Sequence, residues 1–259
     1  MTILRAVLRK VLPLSIYSFL LRNGRELRSC ISFLRDHTSE VSFIDKIRLI
    51  KQLYVISSKI ESPHTQGEML DMIRVILSLR PESNGVVVEA GCFKGGSTAK
   101  FSLAVDIVGR KLVVFDSFEG IPENDEPQDK DIFGWKAEVF KKGDYCGTLE
   151  EVISNVTRFG KIERCRFIKG WFDDTMPDFK EPISAIYIDV DLASSTRTCL
   201  KYLFPLLERG GILYSQDGHL PLVVDVFSDD DFWLKEVGCK TPLIQDLGRR
   251  KLIMIIKEN

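Results

Sequence analysis

The acidic residues best placed to do chemistry in this chain stand at the ends of apolar runs. Glu89 lies in VVVEAG, just before Gly91; Asp116 closes KLVVFD; Asp189 and Asp191 close ISAIYIDVD; and Asp217 follows ILYSQ. After Gly91 the chain passes through Gly95 and Gly96 into a stretch with helical character. A strand, a glycine-rich turn and a helix start form the usual seat of a nucleotide-like ligand in an α/β sheet, at the carboxyl ends of the strands.

The turn reads E-x-G-x-x-x-G-G, so the dinucleotide fingerprint G-x-G-x-x-G is absent. A carboxylate at Glu89 would repel a pyrophosphate, whereas it suits a ligand that carries an ammonium group and no phosphate. S-adenosylmethionine is such a ligand. Asp116, 25 residues after Gly91, is placed to accept hydrogen bonds from both ribose hydroxyls. These residues favour S-adenosylmethionine over NAD and over a turn that holds no ligand.

The elements needed to position these groups are legible in outline. Apolar, β-branched runs (VVV, LVVF, AIYI, LIMII) alternate with helical patterns from Thr65 onward, which predicts a parallel-rich sheet with helices on both faces. TLEEVISNVTRFG is a predicted helix with a capping box at Thr148 and Glu151. Further helices are predicted over Thr196–Glu208, ended by Gly210 and Gly211, and over VVDVFSDDDFWLKEVG. Residues 1–60 read as a helical arm, residues 61–259 as the ligand-binding domain, and 121–147 as an aromatic, acidic lid with Phe133, Trp135, Phe140 and Tyr145.

The 259 residues are 44% apolar and 28% charged, with a net charge of −1, ample for a sizeable core. No basic stripe beyond the N-terminus suggests nucleic acid as a partner. Six cysteines without a C-x-x-C pair predict reduced thiols in a cytoplasmic protein. The N-terminal stretch is too short in apolar residues to span a bilayer. It is expected to pack as an arm on the domain or on a second subunit. The alternative is a peripheral membrane contact, with Arg5, Arg9, Lys10 and Arg22 outward.

The stretch HTQGEMLDMIRVILSLRP, followed by VVVEAGCFKGGST, resembles the start of class I methyltransferases of the catechol O-methyltransferase type. FDSFEGIP, GTLEEV, FIKGWFDDTMP and YIDVDLASST resemble a narrower group, the macrocin O-methyltransferase family, which methylates sugar hydroxyls on antibiotics. The likeness covers roughly residues 60–259. It implies a Rossmann-like class I methyltransferase fold, with a mostly parallel seven-stranded sheet and a helical N-terminal arm that helps form a homodimer. It also implies a small-molecule acceptor with a sugar or glycosylated hydroxyl; a phenolic or lipid-linked glycan acceptor is the alternative. By position, Glu89 and Gly91 would hold the methionyl end of the cofactor, with Thr65 and Ser97 on its carboxylate. Asp116 and Ser117 would take the ribose, and Gly170 and Trp171 would flank the adenine.

On the acceptor side, Asp189 and Asp217 end adjacent strands and could hold a hard divalent cation such as Mg²⁺. The family's D-x-D element implies Asp191 as general base. The family's fifth strand usually ends in two adjacent acids, but here Gln216 precedes a single Asp217. Three outcomes are open: a metal kept with Gln216 or waters, His219 joining as ligand or base, or no metal at all. The departure is also the one support for a non-catalytic binding module.

Overall fold

Strands whose residues are apolar on both faces bury both, and the sheet of this protein is sandwiched accordingly. The computed structural model describes residues 2–80, 82–127, 130–136 and 139–258, without the side chains of residues 2–5, 15, 18, 19 and 22. Four helices come first: α1 (Thr2–Val11), α2 (Leu14–Arg22), α3 (Gly24–Arg35) and α4 (Phe43–Ser57). A linker leads to α5 (Gln66–Leu77), whose start carries a full capping box between Thr65 and Glu68.

The alternating part follows: β1 (Val86–Ala90), α6 (Gly96–Ile107), β2 (Leu112–Asp116), α7 (Leu149–Phe159), β3 (Cys165–Lys169), α8 (Phe172–Thr175), β4 (Ile183–Ile188), α9 (Ala193–Leu203), β5 (Leu207–Ser215), α10 (Pro221–Ser228), α11 (Asp230–Phe232), β6 (Ile244–Gln245) and β7 (Ile253–Ile256). The strand order is β3-β2-β1-β4-β5-β7-β6, with the β3 to β5 pairings parallel and β7 antiparallel to both neighbours. The predicted seven-stranded α/β architecture is therefore present.

Successive residues point to opposite faces of a strand. Val87, Leu112, Val114, Ala185 and Tyr187 pack with α1 to α7, while Val88, Val113, Phe115, Ile186, Ile188 and Leu213 pack with the helices that follow β3. Leu8, Leu20, Ile50 and Leu53 of the first four helices belong to the same core as the sheet face they cover. All six cysteines are free thiols.

Several local readings are corrected. The helix predicted over Thr196–Glu208 starts at Ala193 and stops at Leu203, because Pro205 cannot continue the ladder and forms a short 3₁₀ turn. Gly210 and Gly211 consequently lie inside β5. The stretch VVDVFSDDDFWLKEVG is broken at Asp229, which accepts from Phe232 N and caps a new turn. At Thr148 the side chain accepts from Glu151 N at 3.2 Å, and no return bond from Glu151 forms. The two-residue β6 has no counterpart in the sequence reading, being too short to show a period.

Candidate active site

The glycine-rich turn is shaped by backbone packing. Gly91 has φ +83°, and a Cβ there would lie 1.9 Å from the carbonyl oxygen of Asp189. The ends of β1 and β4 are stitched at this point, Asp189 N donating to Ala90 O at 2.9 Å. Gly95, also left-handed, opens α6. Beside the turn, Asp116 Oδ2 accepts from Cys92 N and Oδ1 from Phe118 N, both at 2.7 Å. Burial pushes the Asp116 carboxyl above the usual range, against the pull of these backbone donors.

A cavity of about 850 Å³ opens along the carboxyl ends of the strands. Its wall includes Gly91, Asp116, Ser117, Gly170 and Trp171 as well as Asp189, Asp191 and His219. Trp171 is 38% exposed and so is a wall residue and not part of the core. Thr65, Glu89 and Ser97 do not line the cavity. Thr65 is engaged in its capping box, and Ser97 is buried in the first turn of α6.

Glu89 shares the strand face of Val87 and points beneath α6, where Thr98 Oγ1 donates to its Oε2 at 2.6 Å. Its Oε1 is buried without a partner. Burial raises its pKa to about 8, with the Ser97 and Thr98 hydroxyls lowering it only partly. Between about 4.5, its ordinary value, and about 8, the unfolded chain releases this proton while the folded chain keeps it, so this group's contribution to stability is lost as pH rises. Glu89→Gln, which preserves the Thr98 bond, is expected to narrow that loss. Its melting temperature relative to the parent should rise from pH ~5 to pH ~8 and level off above. A constant offset in melts across that range would show that Glu89 does not titrate this way.

The three carboxylates Asp189, Asp191 and Asp217 place ligand oxygens within 4.8 Å of one another. Asp217 Oδ2 accepts from Val190 N and Asp191 N at 3.0 Å each, while Oδ1 is buried without a partner. Asp191 sits at φ +62°, a left-handed conformation that a short polar side chain tolerates best and that turns its carboxylate into the cluster. An orphaned buried carboxylate oxygen in a cluster of oxygen donors fits a hard divalent cation. Gln216 is buried, and its Oε1 accepts from Tyr187 OH at 3.1 Å.

Two residues that sequence reasoning passed over complete the cluster's surroundings. His64 Nε2 lies 2.6 Å from Asp189 Oδ2, and its Nδ1 lies 3.1 Å from Ser62 Oγ. The linker between α4 and α5 therefore delivers a histidine to a carboxylate 125 residues away, and no spacing in the sequence announces it. Lys251 reaches the cavity because β7 runs antiparallel to β5, which puts the start of β7 at the ligand-binding end of the sheet. Burial pushes Asp189 up, but His64 and Lys251 outweigh it and hold the carboxyl below its usual range. Asp217 is pushed up by burial and by Asp189. His219, on the wall outside the cluster, is held low by burial and Lys251, and its Nδ1 is buried without a partner.

The segment expected to act as a lid is described at residues 121–127, 130–136 and 139–147. Asp131 organises a small hairpin by accepting from Phe133 N and Trp135 N, and Ile132 N ties it to His219 O at 2.9 Å. Glu126 reaches across to the start of α9, accepting from Ala193 N at 2.8 Å and Ser194 N at 2.9 Å. Phe133 and Trp135 are exposed, whereas Phe140 is buried and lines the cavity with Tyr145.

The fold has likenesses among known proteins. The fold resembles that of the O-methyltransferase NovP (TM-score 0.53, 21% identity, 82% of this chain and 80% of that one). It also resembles CalS11, a calicheamicin methyltransferase (TM-score 0.55, 16% identity, 82% and 92%). Among curated proteins, the chain is 32% identical over 151 residues to an 8-demethyl-8-(2,3-dimethoxy-alpha-L-rhamnosyl)-tetracenomycin-C 4'-O-methyltransferase of Streptomyces olivaceus. It is 31% identical over 153 residues to a mycinamicin III 3''-O-methyltransferase of Micromonospora griseorubida. These matches cover 56% of this chain and only 57% and 59% of the two relatives. Residues 69–234 match the family model described as Macrocin-O-methyltransferase (TylF), and the chain belongs to that family.

Proposed function

We propose that this protein is an S-adenosylmethionine-dependent O-methyltransferase whose acceptor is a hydroxyl of a sugar or glycosylated small molecule. The observation that carries the reading is that one cavity joins the Gly91–Asp116 turn to the Asp189 and Asp191 carboxylates, with the buried Asp217 within 4.8 Å of both behind the wall. The activities of the two relatives support the acceptor class, and the aromatic lid offers faces on which a sugar ring packs.

The cofactor would supply a methyl group on a sulfonium, an electrophile that needs little further activation. The protein's own task is then to hold the acceptor oxygen in line and receive its proton. Asp116 and Ser117 would fix the ribose at one end, and Gly170 and Trp171 the adenine. Asp191 would take the hydroxyl proton, from a conformation locked by its own N–H on Asp217. His219, held neutral, is the second proton acceptor on the wall. A divalent cation held by Asp189, Asp191 and Asp217 would polarise the acceptor oxygen. His64 would then orient Asp189 from behind, an outer-shell arrangement that fixes ligand carboxylates.

Calorimetry with S-adenosylmethionine and S-adenosylhomocysteine, in Mg²⁺ and then in EDTA, tests the reading. Asp116→Ala is expected to weaken binding by about 100-fold, since two hydrogen bonds to a charged acceptor are lost. Absence of binding by the parent protein would overturn the assignment. A difference between Mg²⁺ and EDTA would support the cation at the carboxylate cluster.

A further inference from the structure

We infer that the first helices of this protein form a docking face for an anionic lipid surface. Residues 1–35 hold seven basic side chains, Arg5, Arg9, Lys10, Arg22, Arg25, Arg28 and Arg35, and one acid, Glu26. That stretch carries +6 while the chain as a whole carries −1, so the rest carries −7. The one acid is not on the surface: Glu26 is buried, accepting from Tyr54 OH and Gln66 N. The side chains of Arg5 and Arg22 lie outside the described set, but Arg9, Lys10, Arg25, Arg28 and Arg35 are all exposed. Arg25, Arg28 and Arg35 share one face of α3 by their spacing of three and seven.

Apolar groups accompany this charge. Leu14 is 74% exposed, Leu21 50% and Val11 38%. Leu14 and Leu21 are seven apart and share one face of α2, while Leu8, Leu12 and Leu20 anchor the helices to the core. A basic, amphipathic segment that is firmly attached and keeps leucines outward has the character of an interfacial element. No described helix is long and apolar enough to cross a membrane, so this contact is peripheral.

The competing occupants fit less well. A nucleic acid would match the charge but offers the leucines nothing apolar at its phosphates. A second copy packed through this face by a two-fold axis would bring +6 against +6. An anionic bilayer answers both features, drawing the basic groups to its surface and taking up the leucines.

Sedimentation of the full chain with vesicles tests this. Binding is expected to phosphatidylcholine vesicles containing about 30% phosphatidylglycerol and not to phosphatidylcholine alone, and it should fall with added salt. Leu14→Asp/Leu21→Asp is expected to cut partitioning by at least ten-fold, and Arg9→Glu/Lys10→Glu by about ten-fold or more. These residues are exposed, so both variants should melt like the parent, and a melt of each accompanies the assay. Absence of binding to either vesicle overturns the proposal. So does anionic binding that the leucine variant leaves unchanged and that a duplex oligonucleotide competes away, which would mark a general polyanion patch. Loss of self-association in the leucine variant, without vesicle binding by the parent, would assign the face to a second copy instead.

Discussion

Gly91→Ala is expected to abolish S-adenosylmethionine binding and to lower the melting temperature by about 10 °C. The left-handed backbone costs a non-glycine residue roughly 1–2 kcal/mol. The new methyl would also lie 1.9 Å from the carbonyl oxygen of Asp189, a backbone atom that cannot swing aside as a side chain does. Forced repacking of that kind costs about 1–3 kcal/mol. In a protein of this size each kcal/mol moves the melt by about 2–4 °C. The strain falls where β1 hands over to the turn and β4 to the carboxylate cluster, so both ends of the cavity shift together. Calorimetry and a thermal melt read the two effects. A variant that melts like the parent and binds cofactor would show that the turn is not the rigid hinge the close approach implies.

Asp191→Asn should lower turnover by 10²–10⁴-fold, the usual worth of a positioned general base, while cofactor affinity changes little. Asn keeps the backbone N–H bond to Asp217 and tolerates the left-handed conformation, so the fold and the cluster's geometry survive. The measurement is single-turnover methyl transfer to a hydroxylated acceptor, beside calorimetry of the same sample. If turnover persists at near-parent rates, the proton leaves by another route, and His219 is the residue to change next. A parallel fall in cofactor affinity would mean that the substitution disturbed the turn through Asp189.

The acidic residues that could be found by reading the chain share one property. Asp116, Asp189, Asp191 and Asp217 each follow a solid apolar run, so their place at the ligand-binding ends of parallel strands follows from the strand period and the alternation of elements. Glu89 fits the same description yet lies inside β1, two residues short of the level reached by Asp116 and Asp189 on the same face, and so it is covered by α6 and kept from the cavity. His64 and Lys251 left no trace. One is brought in by a linker with no periodic pattern. The other lies two residues before β7, the strand that runs antiparallel to β5, and the sense of a final strand is not written in its composition. Glu126 was hidden for a further reason, since a carboxylate in an acidic lid looks like any solvated charge until the helix end it meets is known. The mis-set helix ends at Leu203 and Asp229 are failures of local punctuation, where a proline and an aspartate cap outweighed the longer hydrophobic pattern.

The contact between Glu126 and the start of α9 also has a meaning in time. Two amide hydrogens at the electropositive end of a helix, two and three residues beyond Asp191, are met by the Glu126 carboxylate. If the protein turns over as proposed and this segment opens, release of product would break both bonds and entry of acceptor would reform them. On the proposed reading the clasp would act as an escapement: it would meter how long the reacting groups stay shut away from water, at a pace set apart from the methyl transfer itself.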